Sequence, residues 1–401
     1  MEYIGQVVIY LIMCSALVGA VCSILDESSP TGQQFLEGIG SIGAIFLPVA
    51  GIMASAPFIT SFVTHVFTPL FDAVGADPAM AATTFIAVDM GGYQLAFDLA
   101  KTKESWIMAM MTGYMAGATI VFSIPVALKM IAKEDRPCLA LGVMSGLLAI
   151  PFGVLVSSLI IAATSPEVRS IIATSGAADY RLQLSMLQIF HNLVPLIIIC
   201  GLLALGLFLI PNRMIRGFII LGRLMDAALR LVFVCCVIEY FTGVFSKLLG
   251  CWGFEPIIAD DKDINRALEI SGYIGIMLCG AFPMVYLIRT KLAKPLGFIG
   301  QKVGLSADCT AGILAASANV LALFAMVRKL EPADKVRTIA FSVCCAFLFG
   351  DHLAFAANFQ PTLILPIMGG KLAGGIIAVL IAQKLAVSRI PSDIPSAAVK
   401  P

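Results

Sequence analysis

Charged residues are scarce in this 401-residue chain. Asp, Glu, Lys and Arg make up 13% of it, whereas 59% of the residues are hydrophobic. Soluble globular proteins carry about 25% charged residues. A chain of this size with so little charge cannot cover its folded surface with polar groups in water. The composition therefore excludes a soluble enzyme and indicates that lipid is the solvent.

The sequence also lacks the marks of several other classes. Lys and Arg number 26 against 25 for Asp and Glu, so there is no basic excess to hold a nucleic acid. The 11 cysteines form no CxxC pair and lie largely in apolar stretches, which indicates small buried thiols. The three histidines are scattered without metal-ligand spacing, and there is no Walker A motif. We expect no catalytic residue, metal, cofactor or nucleic-acid partner.

Long apolar runs dominate the chain, and about 20 apolar residues suffice for a helix to cross a bilayer. Less regular runs, at 78–97, 303–327 and 338–383, are interrupted by charged residues. We predict an all-α polytopic integral membrane protein with about 10–12 membrane segments, some of them discontinuous or re-entrant. The first run is expected to be a membrane segment and not a cleaved signal, because no positive charge precedes it. The clearest runs are Tyr3 to Leu25, Gly38 to Phe62, Ser105 to Leu128, Pro137 to Ala163, Leu182 to Ile210 and Ile270 to Ile288.

The distribution of charge between these runs predicts a topology. By the positive-inside rule, the Lys- and Arg-rich stretches face the cytoplasm. The linkers Asp26 to Glu37 and Glu255 to Asp263 are mainly acidic, which we take to indicate the outer face. Both flanks of Val303 to Val327 are basic, so this segment is interpreted as a re-entrant hairpin or a broken helix. The basic stretches are 129–136, 213–230, 289–302, 328–337 and the tail from Lys384.

A weak internal repeat divides the chain near its middle. At a shift of 199 residues, Ala127 to Arg136 lies over Met326 to Lys335. Secondary transporters are often built from two related halves, with the substrate site where interrupted helices meet. We therefore predict two membrane halves in one integrated domain, residues 1–200 and 201–401. The alternative is that any two helix-loop-helix units would align as well.

Asp89 is the first candidate site residue. It lies in an apolar run and is followed by Gly91 and Gly92. An ionised residue at the bilayer centre costs at least roughly 2.5–3.5 kcal/mol, so it normally faces protein or a water-filled cavity. The two glycines allow the backbone to leave helical geometry and expose carbonyl oxygens to a cation. A helix-capping Asp or an interfacial loop is the alternative.

Asp351 and His352 repeat this pattern after Gly350, again within apolar sequence. The pair could bind a cation, pass a proton or orient another ligand. A structural Asp held by backbone amides is the alternative. Asn319 and Asn358 lie near these breaks, where each could either hydrogen-bond between helices or contact a substrate.

Several stretches together resemble the ethanolamine permease family encoded with bacterial ethanolamine-utilisation genes. They occur in the family's order and extend from the N-terminal third almost to the C-terminus. One departure is Ala354, where the family pattern has glycine; it leaves Asp351 and His352 in place. The stretches are VDMGG (Val88 to Gly92), GATIVFSIPVAL (Gly117 to Leu128), LALGVMSG (Leu139 to Gly146), GAFPMV (Gly280 to Val285) and GDHLAFAAN (Gly350 to Asn358).

The resemblance implies uptake of ethanolamine across a bacterial cytoplasmic membrane. An amine with a pKa of ~10, like that of lysine, is mostly protonated at neutral pH. Asp89 and Asp351 can supply counter-charge, Asn319 can accept hydrogen bonds, and Tyr93 or Phe355 can offer a π face. We also expect contact with membrane lipid and a homo-oligomer, either a dimer or a trimer.

Three other readings remain open at this point. A transporter of another small amine or amino acid fits the same residues. A cation channel also suits discontinuous helices. An integral-membrane enzyme would need acids, bases or metal ligands converging near an interface, and no such spacing is visible.

Overall fold

The computed structural model describes residues 2–261, 263–291, 293–302 and 304–391. Two short strands, β1 (Glu167–Val168) and β2 (Tyr180–Arg181), pair antiparallel, and a π-helix at Gly113–Ser123 joins α8 to α9. Most of the remainder is helical. The α-helices are α1 Glu2–Leu25, α2 Pro30–Gly40, α3 Ile42–Ala54, α4 Ala56–Val66, α5 Thr68–Ala73, α6 Ala79–Phe85, α7 Gly92–Leu99, α8 Lys103–Thr112, α9 Ile124–Met130, α10 Arg136–Thr164, α11 Met186–Leu209, α12 Pro211–Thr242, α13 Val244–Leu249, α14 Ala267–Lys291, α15 Ala293–Lys302, α16 Ala307–Ala318, α17 Val320–Met326, α18 Pro332–Cys345, α19 Asp351–Phe359 and α20 Ile364–Ile381.

Seven helical segments in the described part of the chain are long and apolar enough to cross a membrane. They carry large apolar side chains on their outer faces, such as Leu17 and Leu202, which are more than half exposed and suit contact with lipid. The seven do not include the broken segments α6–α7, α16–α17 and α18–α19 or the long helix α12. The predicted all-α polytopic class is confirmed. The seven segments are Tyr3–Leu25, Pro30–Ala54, Lys103–Met130, Lys133–Thr164, Met186–Leu209, Ala267–Lys291 and Pro361–Arg389.

Basic residues gather at one end of the helix bundle. Lys335 Nζ donates to Asp135 at the start of α10, and Arg337 donates to Gln383 at the end of α20. A surface cavity at the same end is lined by Lys133 and Arg389, among others. We call this end the cytoplasmic end, in accord with the positive-inside rule, and the opposite end the outer end.

Helices α6 and α7 form a re-entrant hairpin, hairpin A, which enters and leaves at the outer end. The two oxygens of Asp77 accept hydrogen bonds from the backbone N–H groups of Ala79 and Lys101, each 2.9 Å long. One carboxylate therefore holds the entry and the exit of the hairpin together. The stems are only seven and eight residues long, so the turn between them lies within the bilayer.

Helices α16 and α17 form a second hairpin, hairpin B, which enters and leaves at the cytoplasmic end. Ser306 precedes α16, and its hydroxyl donates a 2.6 Å hydrogen bond to Asp334, which follows the exit of α17. Asp334 thus holds the base of hairpin B as Asp77 holds that of hairpin A. A re-entrant hairpin was one of the two interpretations of Val303 to Val327, although Val303 itself lies outside the described residues.

The two hairpins begin sequences of elements that run in opposite directions. Hairpin A is followed by α8–π–α9 towards the cytoplasmic end and by α10 back to the outer end. Hairpin B is followed by α18–α19 towards the outer end and by α20 back to the cytoplasmic end. In this repeat, hairpin A corresponds to hairpin B. The sequence alignment at a shift of 199 residues instead matches two loops that both lie at the cytoplasmic end. The predicted boundary at residue 200 falls inside α11.

The expectation that both acidic linkers face outwards is wrong. The linker before α2 lies at one end of the span Pro30–Ala54, while Glu255 N donates to the carbonyl of Ala54 at its other end. Only the second linker lies at the outer end. The physical reason is that Asp and Glu contribute little to membrane topology, which follows Lys and Arg. Glu37 is also not in a linker, because it belongs to α2.

Candidate functional site

The tip of hairpin A carries Asp89. Residues Val88–Met90 form a single 3₁₀ turn, after which Gly91 takes the left-handed conformation at φ 95°. A Cβ on Gly92 would lie 2.6 Å from the carbonyl oxygen of Ala87, whose oxygen accepts the Gly92 N–H at 3.0 Å. The turn therefore requires glycine at positions 91 and 92 and does not accommodate a larger residue at either. This geometry directs the short helix α7 back to the outer end and leaves Asp89 at the turn.

The tip of hairpin B is Asn319, an extended residue between α16 and α17. Its side-chain oxygen caps α17 by accepting the Leu321 N–H at 2.9 Å. The backbone N–H groups of Phe347 and Phe349, between α18 and α19, donate to the carbonyls of Ala316 and Ser317. Backbone groups that helix geometry leaves unpaired at the two chain breaks thus form hydrogen bonds with each other inside the membrane.

Asp351 and His352 form the first turn of α19, directly after this second break. Asp351 and Asp89 line the same cavity, although they come from different halves of the chain. His352 is 1% exposed, and its ring packs edge-on against Tyr114 with centroids 4.9 Å apart.

A cavity of about 510 Å³ lies where the two tips and the start of α19 meet. Asp89, Asn319, Asp351 and His352 all line it, so the structure brings together four of the residues that the sequence singled out. Its opposite wall comes from α2, α3 and α14. The remaining lining residues include Glu37, Ser41, Ile45, Pro48, Phe122, Phe282 and Phe347.

Three buried polar atoms near the cavity have no hydrogen-bond partner among the described residues: Asp89 Oδ1, His352 Nδ1 and the Tyr114 hydroxyl oxygen. Buried polar groups are normally satisfied, and each exception asks for an explanation. Three such groups at one place indicate a site that accepts a polar guest.

Lys371 is a member of this cluster that the sequence analysis treated only as an interruption of an apolar run. Its side chain is fully buried on α20, and Nζ donates a 2.9 Å hydrogen bond to the carbonyl oxygen of Tyr114. Tyr114 lies in the π-helix, where the wider turn changes the backbone hydrogen-bond register. Lys371 and Asp89 also interact electrostatically. A charge within GGKLAGG is the same signal that identified the two aspartates.

Tyr93, Phe355 and Asn358 do not line the cavity. Tyr93 stacks on Trp106 with ring centroids 4.8 Å apart, and Phe355 stacks on Phe359 at 4.5 Å. Tyr93 and Phe355 meet edge to face at 5.4 Å. These four buried rings, which we call the aromatic plug, lie between the cavity and the outer end. Asn358 Nδ2 donates to the carbonyls of Tyr273 and Ala354 and so joins α19 to α14.

The segment between α10 and α11 covers the aromatic plug from outside. Gln360 is fully buried; its Nε2 donates to the Tyr93 hydroxyl at 2.8 Å, and its Oε1 accepts the Arg169 N–H at 3.0 Å. The Arg169 guanidinium donates to the carbonyls of Asn358 and Phe359 at the end of α19. In the same segment, two hydrogen bonds from Ser170 hold the pKa of the Asp179 carboxyl below its usual value.

On its cytoplasmic side, the central cavity adjoins another cavity. A second cavity of about 360 Å³ shares Glu37, Phe282 and Asn319 with the first and reaches Arg289 near the end of α14. The second cavity thus extends from the lining of the central cavity towards the cytoplasmic end, whereas the aromatic plug lies towards the outer end.

Comparison with known proteins agrees with this architecture. A family model described as "Ethanolamine utilisation protein, EutH" matches residues 4–385. A Listeria monocytogenes protein named "Probable ethanolamine permease EutH" is 37% identical over 96% of this chain and 94% of its own length. An Escherichia coli K12 protein of the same name is 34% identical over 95% of each chain.

A Bacillus subtilis relative, "Uncharacterized protein YxeR", is 30% identical over 94% of this chain and 93% of its own length. No solved structure matches the chain. The family model covers nearly the whole sequence, and the relatives align over almost their full length. The chain therefore belongs to the EutH family of ethanolamine utilisation proteins.

Proposed function

We propose that this protein is a permease that imports ethanolamine, as the ethanolammonium cation, into the bacterial cell. Its relatives are named probable ethanolamine permeases, and the chain is built as a multi-pass membrane protein. The observation that carries the proposal is the central cavity, where Asp89 and Asp351 face a common space and Asp89 Oδ1 has no partner among the described residues.

The chemistry of the lining suits a small amino alcohol. The ammonium group would lie against Asp89 and Asp351, because opposite charge and hydrogen-bond acceptors must replace its water shell. The side-chain oxygen of Asn319 caps α17, which leaves its NH₂ group to donate to the hydroxyl of the substrate. Apolar residues such as Phe282 and Phe347 would cover the two carbons.

The gating proposal follows from the asymmetry between the two ends. Because a second cavity adjoins the central cavity on its cytoplasmic side and packed aromatic rings lie on the other side, we assign the structure to a state from which substrate is released inwards. Uptake then requires the plug to open and hairpin B to close the inward path. Inverted hairpins that meet at the midplane suit this alternation, since each can seal one side of the same site.

The membrane potential can drive this process. Moving one positive charge inwards gains about 2.3 kcal/mol per 100 mV. At 1.4 kcal/mol per tenfold, this supports accumulation of roughly fortyfold without a second ion. Coupling to a proton through Asp351 and His352 is the alternative. Uptake into proteoliposomes with a clamped membrane potential would separate the two, because insensitivity to an imposed pH gradient excludes proton coupling.

The proposed site is tested by replacing Asp89 and Asp351 singly with Asn and measuring uptake of labelled ethanolamine. We expect each change to reduce uptake at least about tenfold, since a charge-assisted hydrogen bond is worth roughly 1.5–3 kcal/mol. Asp308→Asn is the matched control, because Asp308 is an exposed acid of hairpin B that does not line the cavity. Undiminished uptake in both cavity variants would refute the site.

Two further measurements address the rival mechanisms and the assembly. Counterflow of labelled ethanolamine against unlabelled substrate is expected of a carrier and not of a channel. Competition by other small amines and amino acids defines the substrate range. The homo-oligomer, a dimer or trimer, stays a prediction, and native mass spectrometry of the detergent-solubilised protein measures it.

A further inference from the structure

The surface cavity at the cytoplasmic end, on the outside of the helix bundle, has an unusual composition. It has a volume of about 710 Å³ and is bounded by the start of α10, the junction of α11 and α12, and the segment after α20. None of its lining residues belongs to the central cavity or to the inward path. It is therefore separate from the proposed transport site.

Positive charge surrounds this cavity. Lys133, Arg136, Arg216 and Arg389 line it, and among the described residues no Asp or Glu does so. Of the two acids adjacent to these residues in sequence, Glu134 is not in the lining, and Asp135 forms a 2.8 Å ion pair with Lys335. The basic side chains at the cavity thus have no acidic group of the lining to neutralise them.

The arginines are partly held in place. The Arg389 guanidinium lies over the Phe208 ring, 4.5 Å from its centroid, and Arg136 donates a 3.3 Å hydrogen bond to the carbonyl of Leu128. Nε of Arg136 is buried without a hydrogen-bond partner among the described residues. A buried guanidinium N–H of this kind is a donor waiting for an acceptor oxygen.

Two long helices begin at this cavity, and α11 ends there with the opposite partial charge. α10 starts at Arg136 and runs for 29 residues, and α12 starts at Pro211 and runs for 32. Helix N-termini carry partial positive charge and unpaired N–H groups, which favour anions. The four basic side chains and the Nε–H of Arg136, which has no partner among the described residues, together define an anion site.

The other wall of the cavity is apolar. Leu207, Ile215 and Ile219 lie on α11 and α12, below the basic rim and towards the membrane interior. A free inorganic anion would leave this wall exposed. A molecule with a phosphate head and hydrocarbon chains would cover both surfaces.

We propose that this cavity binds the headgroup phosphate of an anionic phospholipid from the cytoplasmic leaflet, with an acyl chain along the apolar wall. Basic pockets between membrane helices on this side are suited to such headgroups. The lipid would connect α10 with α12. α10 packs against α18 and α20, and α12 packs against α3, which lines the central cavity. Its binding would stabilise the relative position of these two parts.

The full-length protein, purified in neutral detergent, tests the proposal by titration with phosphatidylglycerol and, separately, with phosphatidylcholine, using native mass spectrometry and thermal unfolding. We expect retention of phosphatidylglycerol and a higher Tm, with little effect of phosphatidylcholine. The double variant Arg216→Gln/Arg389→Gln should bind phosphatidylglycerol about 25-fold more weakly, if each basic residue contributes the ~1 kcal/mol typical near a membrane surface.

The matched control is Arg328→Gln/Lys329→Gln, which removes the same charge from exposed positions at the same end, outside the cavity. It should bind the lipid as the unmodified protein does. Equal binding by both double variants, or equal stabilisation by phosphatidylcholine, would overturn the proposal. Equal stabilisation by inorganic phosphate alone would overturn the lipid assignment and leave a simple anion site.

Discussion

Lys335 and Asp135, 200 residues apart in the chain, form a buried ion pair in which Lys335 Nζ donates to Asp135 Oδ1 at 2.8 Å. Their side chains are 1% and 4% exposed. The pair joins the starts of α18 and α10, and therefore the two halves of the chain, at the cytoplasmic end.

Breaking this pair from one side should be costly. Asp135→Asn removes the carboxylate to which the buried Lys335 ammonium donates, and loss of one partner from a buried pair typically costs about 3–5 kcal/mol. We expect a marked drop in the free energy of unfolding, measured by chemical denaturation in detergent. The double replacement Asp135→Leu/Lys335→Met should recover most of the loss. A double variant no more stable than the single one would contradict this account.

Gly92→Ala tests the tip of hairpin A. The added Cβ would lie 2.6 Å from the Ala87 carbonyl oxygen, so the turn that carries Asp89 must shift. We expect labelled ethanolamine uptake to fall at least tenfold, with the protein still present in the membrane, because a shift of about 1 Å in a binding group has effects of this size. Gly43→Ala on α3 is the matched control, since its Cβ meets nothing within 4 Å. Similar losses in both variants would contradict the steric explanation.

The aspartates of the site were predictable from the sequence, whereas their surroundings were not. Asp89 and Asp351 stand out because a charge within an apolar run is costly unless a site holds it. The same reasoning applied to Lys371 would have added it. The sequence places Glu37 in an acidic linker because the apolar run begins only at Gly38, whereas in the structure Glu37 belongs to α2, which packs against α14.

The role of the aromatic residues depends on distant partners. Tyr93 and Phe355 are equally compatible in sequence with a π face for an ammonium and with a packed layer. Their contacts with Trp106 and Phe359 place them in the aromatic plug. Hairpin B illustrates the opposite case. Basic flanks on both sides of an apolar segment are a local signal, and a re-entrant hairpin was one of the two interpretations that this signal allowed.

Lys371→Met tests the electrostatic role of the buried ammonium. The change removes a positive charge that interacts with Asp89 while keeping a similar side-chain volume. A cationic substrate should then bind more tightly, and we expect KM for ethanolamine to fall severalfold and maximal uptake to fall with it, because release slows. Lys384→Met, an exposed residue at the cytoplasmic end, is the control. A higher KM in Lys371→Met would show that Lys371 supports substrate binding in another way.

Gln360→Leu tests the closure of the outer end. The replacement removes the hydrogen bonds of Gln360 to the Tyr93 hydroxyl and to the backbone of Arg169 while retaining bulk. Each orphaned polar group costs roughly 1–3 kcal/mol. Amide hydrogen exchange should accelerate about tenfold or more around Arg169 and along α19. Exchange at the base of hairpin B, at the other end, serves as the internal control and should not change. Unchanged hydrogen exchange around Arg169 would show that Gln360 does not stabilise the closed aromatic plug.

The placement of the two linkers at opposite ends can be tested with thiol chemistry. Cys251 is exposed in the segment that leads to Glu255, at the outer end, so a membrane-impermeant maleimide should label it in intact cells. Glu27 is exposed in the linker before α2, at the cytoplasmic end. In a Cys251→Ser background, Glu27→Cys should react only after the cells are permeabilised, because the positive-inside rule places the basic end in the cytoplasm. Labelling of both positions in intact cells would return the two linkers to one face and would reverse the direction of hairpin A relative to hairpin B.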